Sequence, residues 1–565
     1  MDALRYLHHA FIKNSIAFSP GDSPITQYFC HGHARATTRI LPSWFYLLGS
    51  FMRRLAFLLL AGSLVLSSST SLLARDAPAN TKESAGKDDN VQAPTSESAV
   101  STKHSVSIGG RSVAYTATAG NLIIRDEQGQ AQATVFYVAY TVDGGKNANR
   151  PVTFLYNGGP GSSSMWLHMG SIGPVRIETA APAATAPAPY HLVPNSDSLL
   201  DKTDLVFIDA VGAGYSRPVG KAEGKDFWGV DQDVSAFSRA IQRYVTLNNR
   251  WNSPKFLFGE SYGTTRSGAL VDALQDKGMA INGVILMSSI LNYGVRMPGY
   301  DEMYIGYVPS YAAAAWYHGK VANKPADLKA YLDQVRAFAR GPYATALAKG
   351  QDVPAGEADA VAQQLAAYTG LSAQYIRESN LRIEPARFRK ELLRDQRRTI
   401  GRFDARFEGV DEDAAGEVPG YDASDTGISG AFITAFHDYL SGQLNYHSDL
   451  EYRPTFGDIG KDWDWKHQAS GIKRPLQTAY VAGDLAHAIR TNPHLQVLSV
   501  NGYYDFATPF FITEYDLTHM NLEPSLRSNV HFLYYPSGHM VYLNTDALRQ
   551  LKGDLARYYD STNHS

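Results

Sequence analysis

The feature that most constrains the fold is a buried-strand signal that runs directly into a glycine-flanked serine turn. The apolar run Phe256-Leu257-Phe258 is followed at once by Gly259-Glu260-Ser261-Tyr262-Gly263, which has the G-x-S-x-G spacing. Glycines relieve the crowding of a sharp strand-to-helix turn that holds the serine in a strained backbone conformation. The hydroxyl is then presented at a helix N-terminus, where backbone N–H groups favour negative charge. Ser261 is therefore the candidate nucleophile.

Strand and helix signals alternate along much of the chain. Short apolar runs of strand-forming residues lie at 152–156, 205–208, 255–258, 283–287, 495–500 and 530–535. Helical patterns such as 231–247 and 267–277 separate them, and this alternation predicts an α/β fold with a mostly parallel central sheet and helices on both faces. Nearer the N-terminus, antiparallel strands are predicted at 104–117, 122–126 and 131–140, with a turn at 127–130.

Between about residues 295 and 472 the pattern changes to helical periodicity with few strand signals. The helical stretches are predicted at 326–347, 357–368, 387–404 and 428–440. A helical insertion between two strands commonly forms a cap over an α/β site, and this is the role that we expect here. A separate helical domain with an unrelated role is the alternative.

Charge and cysteine content exclude several classes of function. A net charge of −3 with 19% charged residues gives no electrostatic reason to expect binding to nucleic acid or to an anionic membrane surface. Cys30 is the sole cysteine of the sequence, so an intramolecular disulfide, a thiolate metal site and a cysteine nucleophile are excluded.

The N-terminal region has the pattern of an export signal. Arg53 and Arg54 precede an apolar run at 55–66, and a stretch rich in small residues follows it and ends at Ala74. This order is typical of a signal peptide, here at 52–74. A membrane anchor is the alternative, but the run is shorter than the ~20 residues that a spanning helix needs. We therefore interpret Met52 as the start, 1–51 as an upstream extension of the reading frame, and the product as secreted or periplasmic without a stable membrane anchor.

A low-complexity segment separates this signal from the ordered domain. Residues 75–102 are rich in Ala, Ser, Thr, Pro and charge and have almost no large apolar side chains, which predicts a disordered linker. Ordered structure is then expected over 103–565, as one domain that includes the helical insertion.

A serine nucleophile needs a base and an acid, and α/β-hydrolases carry these groups in the chain order Ser, acid, His. The strand signal 495–500 leads to Asp505, and the strand signal 530–535 leads to His539. We predict His539 as the base and Asp505 as the acid that fixes its tautomer. Other histidines fit less well: His519 lies in a helical stretch, His531 inside a strand, and His487 before the acid.

The oxyanion hole is predicted after the strand at 152–156, which ends in Asn157-Gly158-Gly159. A glycine pair in this place directs a free backbone N–H toward the reacting carbonyl, and the second donor is the N–H after the nucleophile. The predicted donors are therefore the N–H groups of Gly159 and Tyr262. A plain turn is the alternative for the glycine pair.

Four motifs taken together resemble the serine carboxypeptidase (S10) family. They are 157–161 (N-G-G-P-G), 207–216 (F-I-D-A-V-G-A-G-Y-S), 259–263 (G-E-S-Y-G) and 538–541 (G-H-M-V), and the resemblance runs from about Pro151 to the C-terminus. It implies an α/β-hydrolase fold with a helical cap, release of single residues from peptide C-termini, and no metal or other cofactor.

The resemblance also implies how the substrate's terminal carboxylate is bound. Asn157, Gly158 and Glu260 match the family's carboxylate-binding positions. Glu260 must be protonated to donate to a carboxylate, because two carboxylates in contact repel each other. Acidic pH is therefore expected to favour peptide binding.

Two departures from the family pattern stand out. Ser162 replaces the usual cysteine after N-G-G-P-G, so the disulfide of that loop is absent. Ser171 stands at the position of the second carboxylate-binding glutamate when residues are counted without gaps from Asn157. Glu178 is a nearby candidate for the missing acid.

The sequence thus predicts a secreted serine carboxypeptidase-like hydrolase whose partners are peptides with a free C-terminus. An esterase or acyltransferase on the same scaffold is the second hypothesis, because the same groups suit any acyl transfer. A non-catalytic pseudo-hydrolase that acts as a binding module is the third. Such proteins usually lose a catalytic group, whereas this chain keeps every one.

Overall fold

The computed structural model describes residues 91–144 and 149–562. The predicted upstream extension (1–51), the signal peptide (52–74) and the first part of the linker (75–90) lie outside the described residues. The predicted linker end at 102 is wrong, because the first strand already begins at Ser98. Ser98 pairs with Asn121 across an antiparallel ladder, so backbone hydrogen bonds order a segment whose side chains are mostly exposed.

Strands occur mainly in the N-terminal half and again near the C-terminus. In chain order they are β1 (Ser98–Ile108), β2 (Arg111–Arg125), β3 (Ala131–Val142), β4 (Val152–Tyr156), β5 (Val175–Ile177), β6 (Leu192–Pro194), β7 (Asp204–Ile208), β8 (Arg217–Pro218), β9 (Lys255–Glu260), β10 (Gly283–Met287), β11 (Arg398–Ile400), β12 (Glu408–Val410), β13 (Gln496–Gly502) and β14 (Val530–Tyr535).

Helices follow most of the central strands and fill the long interval before β13. In chain order they are α1 (Met165–Gly170), α2 (Val230–Leu247), α3 (Tyr262–Asp276), α4 (Glu302–Tyr317), α5 (Leu328–Phe338), α6 (Ala344–Ala348), α7 (Ala355–Thr369), α8 (Ala373–Glu378), α9 (Pro385–Glu391), α10 (Ala423–Thr426), α11 (Ser429–Asp438), α12 (Gly457–Lys461), α13 (Ala482–Thr491), α14 (Phe510–Thr518) and α15 (Thr545–Thr562).

One large sheet has the strand order β1-β2-β3-β7-β4-β9-β10-β13-β14, with β8 paired to β3. The pairs from β7 to β14 are parallel, and those from β1 to β7 are antiparallel. The predicted mostly parallel sheet is therefore confirmed. At its antiparallel edge, Gly109 and Gly110 make the turn between β1 and β2 with φ of 56° and 77°, inside the single strand predicted at 104–117.

The side chains of β9 show how the sheet is covered. Phe256 and Phe258 lie in one apolar cluster with residues of α1, α11 and α15, whereas Leu257 lies in another with residues of α2, α3 and α13. Successive side chains of a strand point to opposite faces, so β9 is buried on both. Helices on both faces, as predicted, make the fold that of an α/β-hydrolase.

A third apolar cluster belongs mainly to helices α4 to α9 together with the start of α14. These helices follow β10, and the predicted insertion at about 295–472 lies between β10 and β13. The helix predicted at 387–404 is wrong in its second half, because α9 ends at Glu391 and β11 pairs with β12 as a small hairpin. Within the described part of the chain, no helix is long and apolar enough to cross a membrane.

Candidate active site

Ser261 lies between the last residue of β9 and the first residue of α3. Its φ of 61° and ψ of −130° place it in a strained conformation, and its N–H donates to the carbonyl of Met287 at 3.0 Å. A Cβ at Gly259 would lie 2.2 Å from the carbonyl oxygen of Gly263, so the turn requires glycine there. The side chain of Ser261 is half-buried, within reach of a substrate. This is the strand–turn–helix geometry that the sequence predicts.

The helix after the serine begins five residues earlier than the predicted start at 267. Tyr262 is therefore its first residue, and the N–H groups of a first helical turn have no partner within the helix. The positive end of the helix dipole lies at the same place. Both effects favour negative charge beside Ser261.

Asp505 and His539 follow β13 and β14, whose ends meet at the same edge of the sheet as the end of β9. His539 Nδ1 lies 2.8 Å from Asp505 Oδ2, and the two side chains are 2% and 1% exposed. Because an ionised carboxylate only accepts hydrogen bonds, this contact places a proton on Nδ1 and leaves Nε2 as an acceptor. The structure thus brings the predicted acid and base together.

Local hydrogen bonds orient Asp505. Its Oδ1 accepts from the N–H groups of Ala507 at 2.7 Å and Thr508 at 2.9 Å, and its Oδ2 lies 2.8 Å from the Thr508 hydroxyl. The Thr508 hydroxyl also lies 3.1 Å from His539 Nδ1 and 2.8 Å from the Ser288 carbonyl. Sequence reasoning missed Thr508, although a threonine three residues after an acid is a common local partner.

The backbone of His539 is fixed from two sides. The Ser288 hydroxyl donates to the His539 carbonyl at 2.6 Å, and the His539 N–H donates to the Phe403 carbonyl at 2.6 Å. The Phe403 ring lies 5.3 Å from the imidazole. Neither contact could be predicted from the sequence, because both partners are distant from His539 in the chain: Phe403 belongs to the insertion and Ser288 follows β10.

Ser261 and His539 are not joined by a hydrogen bond among the described residues. Nucleophile–base contacts are often looser in ligand-free structures than in complexes. The link from base to nucleophile therefore stays a prediction. The competing histidines lie elsewhere: His487 pairs with Asp272, His519 stacks on Tyr515, and His531 is exposed on β14.

The glycine pair after β4 packs against the start of α3. A Cβ at Gly158 would lie 2.3 Å from the Tyr262 nitrogen, and Gly159 has a φ of 105°. Among the described residues, the N–H groups of Gly159 and Tyr262 donate no main-chain hydrogen bond. Two unengaged donors beside a serine are the arrangement that an oxyanion hole requires.

Glu260 is 1% exposed, and its carboxylate accepts from the Tyr542 hydroxyl at 3.0 Å. Burial raises the pKa of the Glu260 carboxyl to about 7. The charge of His539 and hydrogen bonds from Tyr542 and Asn157 act in the opposite direction. A carboxyl with this pKa carries a proton through much of the acid and neutral range, so it can donate as well as accept.

Asn157 is held with its amide group available. Its Oδ1 accepts from the Leu167 N–H at 2.8 Å, and its carbonyl accepts from Arg266 Nη1 at 2.8 Å. Arg266 is fully buried and pairs with Asp233 at 2.6 Å. Because Oδ1 is engaged, the NH2 group is the part of the side chain that donates, and its hydrogen bond to Glu260 uses one of the two hydrogens. In the described part of the chain, no cluster of three or more His, Cys, Asp or Glu side chains is placed to hold a metal ion.

Residues 112–380 match the serine carboxypeptidase family model. The match covers just under half of the chain and makes this part similar to serine carboxypeptidases. The matched range contains the motifs at 157–161, 207–216 and 259–263, whereas Asp505 and His539 lie beyond it. The predicted resemblance to this family is therefore confirmed.

A curated relative is the pheromone-processing carboxypeptidase KEX1 of Saccharomyces cerevisiae, strain S288c. It is 34% identical over 134 residues, which cover 22% of this chain and 17% of that protein. The same protein from strain JAY291 matches to the same extent. The chain thus spans only 17% of the length of the curated relatives that it matches.

Solved structures also align over most of the chain. Proline iminopeptidase of Mycobacterium smegmatis is 13% identical with a TM-score of 0.33, covering 82% of this chain and 99% of that one. A soluble variant of monoglyceride lipase from Saccharomyces cerevisiae is 10% identical with a TM-score of 0.31, covering 76% and 92%. The α/β-hydrolase assignment rests on the strand order and the turn at Ser261 rather than on these scores.

The loop in which the family pattern has a cysteine is held here by strand-like pairing. Ser162 forms an antiparallel bridge with Thr455, and the Ser163 N–H donates to the Pro454 carbonyl at 2.9 Å. The Gly161 carbonyl accepts from the Phe456 N–H at 2.9 Å. Main-chain pairing with 454–456 thus holds the loop that a disulfide would otherwise fix.

Ser171 does not contribute a polar group to the carboxylate site. It is fully buried at the end of α1, and its hydroxyl donates to the Leu167 carbonyl. Glu178 is exposed after β5 and makes no hydrogen bond to Glu260 among the described residues. Tyr542, which follows His539 by three residues, is the side chain that occupies the place beside Glu260.

Aromatic side chains cluster beside the turn that contains Ser261. The Tyr262 ring lies 5.2 Å from Trp463 and 6.2 Å from Trp465, and Tyr293 packs against Trp465 at 4.5 Å. Sequence reasoning missed this wall, since its members come from α3, the segment after β10 and the segment before α13. Tyr262 and Trp463 are 1% and 7% exposed, so these rings make an apolar surrounding for the start of α3.

Proposed function

We propose that this chain is a serine carboxypeptidase-like hydrolase that releases C-terminal residues from peptides through Ser261, Asp505 and His539. The observation that carries the proposal is the buried Glu260 directly before Ser261, with a pKa raised to about 7 by burial. A protonated acid at this position can bind a peptide's terminal carboxylate, which is the group that an ester of the same peptide lacks.

The proposed chemistry begins with attack of Ser261 Oγ on the scissile carbonyl carbon. Its proton passes to His539 Nε2, and Asp505 stabilises the imidazolium through Nδ1. The developing oxyanion accepts hydrogen bonds from the N–H groups of Gly159 and Tyr262.

The tetrahedral intermediate then collapses to an acyl-enzyme. The C–N bond breaks, and His539 gives its proton to the departing amino group of the C-terminal residue. Water, deprotonated by His539, attacks the ester carbonyl and releases the shortened peptide with Ser261 restored. No step requires a group beyond the chain and water.

Substrate selection depends on the carboxylate end of the peptide. Glu260 in its protonated form, the Asn157 amide and the Gly158 N–H are the proposed donors to the terminal carboxylate. The leaving residue is thus recognised by its charge.

The test compares three matched substrates: a blocked dipeptide with a free C-terminus, its C-terminal amide, and an activated ester of the same acyl group. A carboxypeptidase hydrolyses the free acid far faster than the amide, whereas an esterase prefers the ester over both. Labelling by a fluorophosphonate probe, present in the wild type and absent in Ser261→Ala, reports the nucleophile directly. Absence of labelling in the wild type indicates a pseudo-hydrolase instead.

Export through residues 52–74 is part of the proposal, supported by the basic pair Arg53-Arg54 and the apolar run after it. Expression of the full reading frame in a bacterial host and N-terminal sequencing of the mature product test it. The expected N-terminus lies shortly after Ala74, and an N-terminus that retains residues 52–74 contradicts it.

A further inference from the structure

We propose that Tyr542 determines specificity by positioning Glu260: its hydroxyl engages one carboxyl oxygen, so that the other carries the proton toward the peptide's terminal carboxylate. Tyr542 acts through Glu260, so it is a positioning residue and not a catalytic one. The proposal rests on the proposed function, since it concerns the same substrate group.

The contact itself is almost fully buried. The Tyr542 hydroxyl donates to Glu260 Oε2 at 3.0 Å, and the two residues are 2% and 1% exposed. Burial raises the pKa of the Tyr542 hydroxyl well above its usual range, so it stays protonated throughout the working pH range. Tyr542 therefore remains a donor at every pH at which Glu260 titrates.

This contact decides where the proton of Glu260 resides. A carboxyl oxygen that accepts from a neighbouring hydroxyl is the poorer site for the acid proton, because the two hydrogens would compete for the same space. Oε1 is then the oxygen that bears the proton. Without the Tyr542 hydroxyl, the proton can also reside on Oε2, and only part of the protonated population presents its O–H to a substrate.

The surroundings of Tyr542 explain why no second acid is needed. The Tyr542 ring packs directly against Gly170, the neighbour of Ser171 in the chain. A Cβ at Gly170 would lie only 2.4 Å from Tyr542 Cε2. The Ser171 hydroxyl is turned away to Leu167. The tyrosine thus occupies the neighbourhood of the missing glutamate, and it adds a hydrogen-bond donor without adding a second negative charge.

The charges around Glu260 define the expected direction of the pH effect. Burial and the nearby Asp505 raise the pKa of Glu260, whereas His539 and the hydrogen bonds from Tyr542 and Asn157 lower it. Removing the Tyr542 hydroxyl therefore raises the pKa of Glu260. The upper pH limit of peptide binding should move upward even as the affinity at low pH falls.

The test is Tyr542→Phe, measured with a free-acid peptide and the matching peptide methyl ester from pH 5 to 9. We expect KM for the free acid at pH 5 to rise about tenfold, the scale of one hydrogen bond to a charged group. The ester, which lacks the carboxylate, should keep its kcat and KM within about twofold. The midpoint at which KM for the acid rises should shift to higher pH.

Tyr535→Phe is the matched control, because it removes a tyrosine–carboxylate bond of 2.6 Å, to Asp554, away from Glu260. It should leave the acid-to-ester ratio unchanged. Gly170→Ala is the second variant: its Cβ displaces the Tyr542 ring and should reproduce the change without removing the hydroxyl.

The outcomes separate this proposal from the proposed function. If the wild type shows no preference for the acid over the amide, the proposed function fails. The role of Tyr542 is overturned by a different result, in which the wild type has that preference and neither Tyr542→Phe nor Gly170→Ala changes it. In that case both variants keep the wild-type ratio of kcat/KM for the free acid to kcat/KM for the ester, and KM for the acid rises at the same pH as in the wild type. Equal losses on acid and ester overturn it too, because they show that Tyr542 only supports the loop of His539.

Discussion

The N–H of His539 donates to the carbonyl oxygen of Phe403 at 2.6 Å, which joins the candidate base to the insertion. The approach is close, since a Cβ at Gly538 would lie 2.4 Å from the same oxygen. Arg406 extends the contact: its guanidinium donates to the Pro536 carbonyl at 2.9 Å and lies 3.3 Å from the Ser537 hydroxyl. The insertion therefore supports the loop that presents the imidazole.

Arg406→Met is expected to affect both stability and rate. Arg406 is 7% exposed and pairs at 2.6 Å with Asp404, which is 2% exposed, so the substitution leaves a buried charge alone. Such losses cost about 3–5 kcal/mol of unfolding free energy. Small misplacement of a catalytic group costs about 10- to 100-fold in kcat. Urea unfolding and kcat measured on the same preparation check the two effects.

The double variant Asp404→Asn/Arg406→Met separates these effects. It removes both charges and should recover much of the lost stability, because no buried charge stays unpaired. The bonds to Pro536 and Ser537 remain absent, so kcat should stay low. Recovery of kcat together with stability would show that Arg406 has no role in positioning the His539 loop.

Asp505→Asn is expected to lower kcat by about 10³–10⁴-fold through the wrong imidazole tautomer. The N–H groups of Ala507 and Thr508 donate to Oδ1, so the amide oxygen of asparagine takes that place. Its NH2 group then faces His539 Nδ1 and forces the ring to carry its proton on Nε2. Stopped assays of peptide hydrolysis with circular dichroism as the fold control check this, and a loss below tenfold contradicts the assigned role of Asp505.

The central strands could be predicted because a strand that is buried on both faces appears in the sequence as a short, continuous apolar run. The bounds of β4 and β10 are those predicted, and both strands are fully buried apolar runs between neighbouring strands. The same logic located the loop of Asp505, which follows the buried strand β13, whereas β14 before His539 is an edge strand with partly exposed side chains. By contrast, the start of β1 was predicted as linker, because an edge strand with polar, exposed side chains has the composition of a linker.

The remaining parts depend on contacts between distant residues. Glu260 and Tyr542 are 282 positions apart, and no local pattern links a glutamate before a serine to a tyrosine after a histidine. The segment after Glu391 has helical periodicity but pairs as β11 with β12, because tertiary packing overrides local propensity. Thus the residues of the proposed triad could be located from the sequence, and the side chains that orient them could not.

Glu260→Gln is expected to remove the pH limit on peptide binding. Burial raises the pKa of Glu260 to about 7, so the protonated donor is lost as the pH rises through that value, and KM for free-acid peptides should rise above it. Glutamine keeps a donating NH2 group at every pH, so KM should stay flat from pH 5 to 9. The matched methyl ester serves as the control, and a KM that rises above pH 7 in the variant as it does in the wild type contradicts carboxylate recognition by Glu260.

His467 joins the segment before α13 to two helices, and it should stabilise the fold in a pH-dependent way. Its Nδ1 lies 2.6 Å from Asp231 and its Nε2 lies 2.9 Å from Asp484. Burial lowers the pKa of His467, but hydrogen bonds to the two carboxylates outweigh it and raise the pKa from 6.5 to about 9. The imidazolium is therefore the favoured form in the folded protein.

A raised pKa means that the stabilisation is fully present below about pH 6.5 and is lost as the pH rises through about 9. His467→Gln should cost roughly 2–3 kcal/mol at pH 6, after a discount for the half-exposed Asp231, and far less at pH 10. Thermal unfolding of both proteins at these two pH values measures the difference. His531→Gln, at an exposed position on β14, should match the wild type at both, and a Tm gap for His467→Gln that is equal at pH 6 and pH 10 would show that the imidazole acts by packing and not by its charge.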